Sequence, residues 1–253
     1  MNTGNRESGS QTVGKQAAGN DGAAEAATDD HRQLAAIRDI INRVLNQAQH
    51  DGSHRAHART EILIHAISVF AQRGLERTTV QDLLDAAAIS RRTFYKYFRN
   101  KHDVLESLYQ ISVENMILRF RREAERGGSV TEVIANTCNI YFDYHLSLGP
   151  IIHLMMEEAR RTGSVLAPHR EQAYATVAEV MQREMARVTG RRLDMLVYRS
   201  LIWLLESYSL DLLGSRAVSG DTLSHYKGIM TGLAEAVLIG QADWQKLTTA
   251  PAV

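Results

Sequence analysis

Cysteine is nearly absent: the 253-residue chain has one, Cys138. A single thiol forms neither an internal disulfide nor a thiolate zinc cluster, so the fold must rest on its core, and the chain suits a reducing cytoplasm. Proline is almost as scarce, with three residues at positions 150, 168 and 251, which leaves long helices free to form. Aromatic residues are 6% of the chain, and β-branched runs joined by two-residue turns are missing, which excludes an all-β fold. Apolar stretches are broken by charges well short of the ~20 residues of a membrane span, so no membrane partner is expected. No apolar run follows the N-terminus, so no secretory leader is expected. Net charge is also absent, since 29 Lys and Arg balance 29 Asp and Glu.

The balance hides an uneven distribution. Residues 1–52 carry five basic and seven acidic side chains, residues 53–101 nine and four, and residues 102–253 fifteen and eighteen. A short basic segment therefore joins a larger acidic one, and phosphate contacts are to be sought in the basic segment. Residues 1–28 are small and polar and are expected to form a disordered tail. Residues 29–52 carry Leu34, Ile37, Ile41, Val44 and Ala48 at steps of three and four, the seam of an extra amphipathic helix. A polar, His-rich linker from His50 to His57 follows. Residues 53–105 and 106–248 read as a small and a larger all-helical domain, the second with helices over 101–126, 130–147, 150–162, 168–188, 192–213 and 221–240.

Within the basic segment the local signals are dense. A helix from Arg59 to Arg73 places Ile62, Ala66, Val69 and Phe70 on one face and ends at Gly74, a residue suited to a positive φ. Thr79 with Asp82 three residues later is a capping box, opening a helix Val80 to Ala87. Ser90 can cap a third helix, Arg91 to Phe98, and Asn100 a fourth. Two short helices joined by a tight turn form a helix-turn-helix, whose second helix enters the major groove of DNA. Phe94 and Phe98, four residues apart, face inward, which leaves Arg91, Arg92, Thr93, Tyr95 and Lys96 outward or at the helix start. Arginine pairs with the O6 and N7 edge of guanine, and hydroxyls such as those of Thr93 and Tyr95 suit phosphate oxygens. Thr79 and Lys101 stand at helix N-termini, where free N–H groups favour an anion, and Gln81 can reach DNA from the second helix.

The stretch from Arg59 to Leu105 resembles the DNA-binding domain of the TetR family of bacterial transcriptional regulators. The resemblance lies in Phe70 to Gly74, Thr79-Val80-Gln81-Asp82-Leu83-Leu84, Ala87 to Ser90, Thr93 to Phe98 and Lys101, in order over 47 residues. Ala88 stands where the family usually has glycine, and His65 and Leu84 where small residues are common. The resemblance implies a homodimeric all-α regulator that inserts Arg91–Phe98 into successive major grooves of a palindromic double-stranded DNA operator. It further implies a small-molecule effector, held in the larger domain, that changes the spacing of the two reading heads.

Other residue groups weigh less. His50, His54 and His57 have ligand-like spacing, but no Cys or acid completes a set, so neither metal nor cofactor is assigned. His153 and Glu157 share a helix face and read as a surface or core hydrogen bond. Tyr141, Tyr144, His145, Met155, Met156 and Trp203 are candidates for an effector pocket, although such residues at helical spacing are more often plain core. Cys138 reads as a buried small residue. No nucleophile–base set, Gly-rich phosphate loop or Glu-x-x-His pair is found, so an enzyme is not expected. The competing reading is an effector-independent architectural or division-linked DNA-binding protein of the same fold; a closed apolar cavity in the second domain separates the two. Finally, Gly228, Gly232, Ala236 and Gly240 recur every four residues. With helix 192–213, rich in Leu201, Leu204, Leu205 and Leu212, they suggest an intersubunit four-helix bundle.

Overall fold

In the computed structural model, which describes residues 54–214 and 218–240, every regular element among the described residues is an α-helix. The tail expected at 1–28 and the extra helix expected at 29–52 lie outside the described residues. Helix α1 (His54–Arg77) begins ahead of the expected Arg59, inside the stretch read as linker. The reason is local: no proline or glycine stands between position 54 and Gly74, and Ala56 and Ala58 favour helix. Gly74 interrupts α1 with φ 71° and ψ 167°, so the chain leaves the helix there, as expected of a glycine at that place. The Thr78 hydroxyl donates to the Gly74 carbonyl at 2.7 Å and closes the turn.

The next three helices each start on a side-chain cap. Helix α2 (Val80–Ala87) has the full box: the Asp82 N–H donates to Thr79 Oγ1 at 3.2 Å, and the Thr79 N–H to Asp82 Oδ2 at 2.8 Å. Ser90 Oγ accepts from the Thr93 N–H and opens α3 (Arg91–Tyr95); the Phe98 N–H still donates to the Phe94 carbonyl at 3.0 Å, so the helical turn carries on to the expected end. Asn100 caps α4 (Lys101–Arg126). Phe70, Leu83, Phe94, Phe98 and Leu105 are buried together, which fixes α1 to α3 against the start of α4. A buried side chain of this size contributes about 1.5–3 kcal/mol.

Beyond it stand α5 (Val130–Leu148), α6 (Pro150–Arg160), α7 (Ala167–Thr189), α8 (Met195–Gly214) and α9 (Gly220–Ile239). Helix α4 packs on both α1 and the pair α5 and α7; α9 packs on α5 and α8, α7 lies against α8, and α6 reaches back to α1. No described helix is long and apolar enough to cross a membrane.

The small-residue row of α9 does not form one outward stripe: a Cβ at Gly228 or Gly240 would meet nothing within 4 Å, but the row is interrupted between them. Gly232 is buried within the subunit, where α9 approaches α5. On α8, Leu201, Leu205 and Leu212 are likewise spent on the subunit's own core, and Leu196 and Trp203 point away from it, Trp203 being 53% exposed. Cys138 is buried, as read from the sequence; burial raises its thiol to about 11 against a hydrogen bond with Thr231 of α9.

Candidate nucleic-acid interface and effector cavity

The outward face of α3 presents Arg91, Arg92, Tyr95 and Lys96, all exposed, with Thr93 half-buried. Tyr95 is 51% exposed, and its ring stands edge-on to the buried Phe94. Arg91 donates to Gln81 Oε1 at 2.9 Å, and Gln81 in turn donates to Asp85 at 2.7 Å, so α2 holds this guanidinium in place. Arg92 has no such tether. Thr93 Oγ1 lies 2.9 Å from Ser90 Oγ and takes part in the cap.

Two of the expected phosphate contacts are committed to other work. The ammonium of Lys101 donates to the carbonyls of Leu75 at 2.8 Å, Glu76 at 3.1 Å and Thr78 at 2.8 Å. An ammonium has three N–H donors, so none remains for a phosphate. The Thr79 hydroxyl is held by Asp82, whose carboxyl lies below its ordinary range because the Thr79 N–H and hydroxyl donate to it. Thus Lys101 fastens the start of α4 to the turn that precedes α2, and what it leaves toward an anion is the helix N-terminus itself. Arg161 makes a second tie to that turn, bonding Glu76 at 3.2 Å and Glu158 at 2.7 Å.

A cavity of about 90 Å³ lies between α4, α5, α6, α7 and α8. Tyr141, Tyr144 and His145 line it as the sequence suggests, and so does Met156. Met155 is buried off the cavity, and Trp203 faces solvent on the opposite side of α8, one residue from the lining Ile202. The polar edge was missed. Glu206 lines the wall, buried, and accepts from Arg170 Nε at 2.8 Å and Nη2 at 2.5 Å, and from the Tyr174 hydroxyl. The carboxylate raises the Arg170 guanidinium further above its usual range, and burial raises the Tyr174 and Tyr109 phenols. His145 bonds Ser209 at 2.7 Å through Nδ1, and burial lowers its pKa to about 3, so the ring is neutral. Only the distance in sequence between α4, α7 and α8 hid Tyr109, Tyr174 and Glu206, each aromatic or acidic at a buried helix phase.

His153 and Glu157 form a surface pair at 3.3 Å. No group of three metal-binding side chains occurs among the described residues; His50 and the side chain of His54 lie outside them.

A capped helix-turn-helix in front of a helical bundle with an internal cavity defines a class of two-part, all-helical proteins. Residues 62–108 match the family described as bacterial regulatory proteins, tetR family. Over that segment, which holds the helix-turn-helix, the chain is similar to the TetR family. It is similar to the HTH-type transcriptional repressor KstR2 of Rhodococcus jostii, 32% identical over 77 residues, which span 30% of this chain and 38% of that one. Its fold is that of a TetR-family regulator from Syntrophomonas wolfei, with TM-score 0.63 and 14% identity over 74% of this chain and 97% of that one. It also follows FadR of Bacillus subtilis, solved with stearoyl-CoA, with TM-score 0.57 and 17% identity over 72% and 98%.

Proposed function

We propose that the protein is a sequence-specific DNA-binding transcriptional regulator, a homodimeric repressor released from a palindromic operator by a small molecule held in the cavity. The observation that carries the reading is the α3 face: Arg91, Arg92, Tyr95 and Lys96 project from a helix fixed by the burial of Phe94 and Phe98. Arg92, untethered, is the base reader; Arg91, oriented by Gln81, reads an adjacent base or phosphate. The cavity favours an effector-responsive regulator over an architectural protein of the same fold.

The outward apolar side chains Leu196 and Trp203 of α8, with Val237 of α9, support a two-fold interface formed by these helices. In such a dimer the half-sites lie about one helical turn, ~34 Å, or a multiple apart. Helix α4 supplies the route of release, since it lines the cavity at Tyr109 and Ser112 and grips the turn before α2 at Lys101. Sequencing of genomic fragments retained by the purified protein tests the proposal: enrichment of an inverted repeat that Arg92→Ala no longer selects is expected, and retention of fragments without a common sequence would refute it.

A further inference from the structure

The cavity is one of three adjacent apolar chambers. A second, about 50 Å³, and a third, about 60 Å³, both share Thr137 and Met181 with the first. Together they hold roughly 200 Å³. At about 10–15 Å³ for each water-sized atom, that is room for about 13–20 non-hydrogen atoms. The second chamber adjoins a surface cleft of about 340 Å³ through Ala124, Val180 and Glu184.

The two ends differ in chemistry. At the end away from the cleft Tyr109 and Tyr141 are 7% and 8% exposed, line the first chamber, and hydrogen-bond to no described residue through their hydroxyls. Two phenol hydroxyls that open on the chamber and bond no described residue can donate to an oxygen acceptor. Glu206 stands in the same wall and engages Arg170 and Tyr174, so no free cation is left there to hold a negative group. Burial and this carboxylate both raise the Tyr141 phenol, which stays a donor. At the open end Arg121 and Arg183 are exposed and bond no described residue, beside Arg187, which bonds Glu184 at 2.8 Å, and Glu125. Twelve residues of α4 separate Tyr109 from Arg121, a rise of about 18 Å.

We infer that the cavity takes an elongated amphiphile lying along α4, with an anionic head in the arginine cleft, an apolar body across the three chambers, and an uncharged oxygen at the Tyr109–Tyr141 pole. The inference rests on the reading of this cavity as the effector site and narrows the effector to an acyl-type molecule oxygenated at its far end. Met181, flexible and shared by all three chambers, is the side chain that must move to thread it.

Calorimetric titration of the full chain with hexadecanoate, 16-hydroxyhexadecanoate and 1-hexadecanol tests it. The hydroxy acid is expected to bind about 3- to 10-fold tighter than hexadecanoate, the worth of one added hydrogen bond. The paired change Tyr109→Phe and Tyr141→Phe should erase that preference while hexadecanoate still binds. The alcohol should bind more weakly than hexadecanoate, and Arg121→Ala with Arg183→Ala should remove the difference. Hexadecanoate binding as tightly as the hydroxy acid, a preference that survives the phenylalanine pair, an alcohol equal to the acid, or no binding of any probe would overturn the inference. Operator release is scored separately in a mobility-shift assay. Phenol-dependent binding without release would sink the regulatory reading alone, whereas release by a molecule outside this class would sink the amphiphile alone.

Discussion

Replacing Lys101 by Met removes the ammonium and keeps most of the apolar stem. Three carbonyls, those of Leu75, Glu76 and Thr78, then lose their donor. A hydrogen bond to a charged group contributes about 1.5–3 kcal/mol, but the three share one ammonium and the Glu76 carbonyl is open to water, which takes over part of the work. The expected loss is therefore about 2–4 kcal/mol rather than three full bonds. Lys101→Arg should recover only part of it, because a planar guanidinium does not converge its donors on three carbonyls as an ammonium does. Urea denaturation at fixed protein concentration measures the effect, the concentration being held because assembly adds to apparent stability. Salt dependence of DNA affinity is measured on the same variants. A direct phosphate contact would instead leave stability within about 0.5 kcal/mol of the wild type and lower the salt slope by about one. That pair of results would refute the bracing role.

Four further outcomes are expected. Ala88, at φ 50°, is the sole non-glycine residue with positive φ among those described; Ala88→Gly relieves about 1–2 kcal/mol of strain and returns about 0.4–1 in chain entropy, so thermal melting should rise by about 2 °C. Arg92→Ala should cost about 1–3 kcal/mol of operator affinity and relax preference at one base pair per half-site, read by titration against single-substituted sites. His145 has its pKa lowered to about 3, so its burial stabilises the fold above the ordinary histidine value and is lost as pH falls below it; between pH 7 and 5 the wild type should lose about 2 kcal/mol more than His145→Gln in denaturant titrations. Trp203→Glu should yield monomers in sedimentation, whereas Gly232→Leu, at a buried position, should lower stability instead of merely splitting the dimer.

The helix-turn-helix was legible because its determinants are local. Thr79 with Asp82, Ser90 with Thr93 and Asn100 with Asp103 each act across three residues, and the i, i+4 pair Phe94 and Phe98 sets the phase of α3. The bracing bonds of Lys101 are not legible for the opposite reason: its partners lie 23 to 26 residues earlier in the chain. The phase of α8 was not readable either. From Leu196 to Leu213 apolar residues fall on most of its faces, so no single stripe marks the inside. That is why Trp203 was placed in the cavity and the neighbouring Glu206 was overlooked. The polar edge of the cavity needed α7 and α8 in contact before Arg170 and Glu206 could be seen as a pair.

Helix α4 makes the two regions one mechanical problem. It has neither proline nor glycine between Lys101 and Arg126, so it moves as a rod. Tyr109 lies eight residues, about 12 Å of rise, along the helix from Lys101. A ligand that displaces the cavity end must therefore either stretch three short hydrogen bonds or carry the turn at residues 75–78 with it. Those bonds are charge-assisted and partly buried, which makes carrying the turn the lower-energy response. The turn ends one residue before the Thr79 cap of α2, and α2 holds Arg91 through Gln81, so its displacement reaches the reading surface without any change inside α2 or α3. The Arg161–Glu76 pair joins the same turn from α6, but both partners are exposed and such a pair contributes at most about 1 kcal/mol. In the proposed route of release, Lys101, and not the arginine, is thus the element through which the cavity would pull.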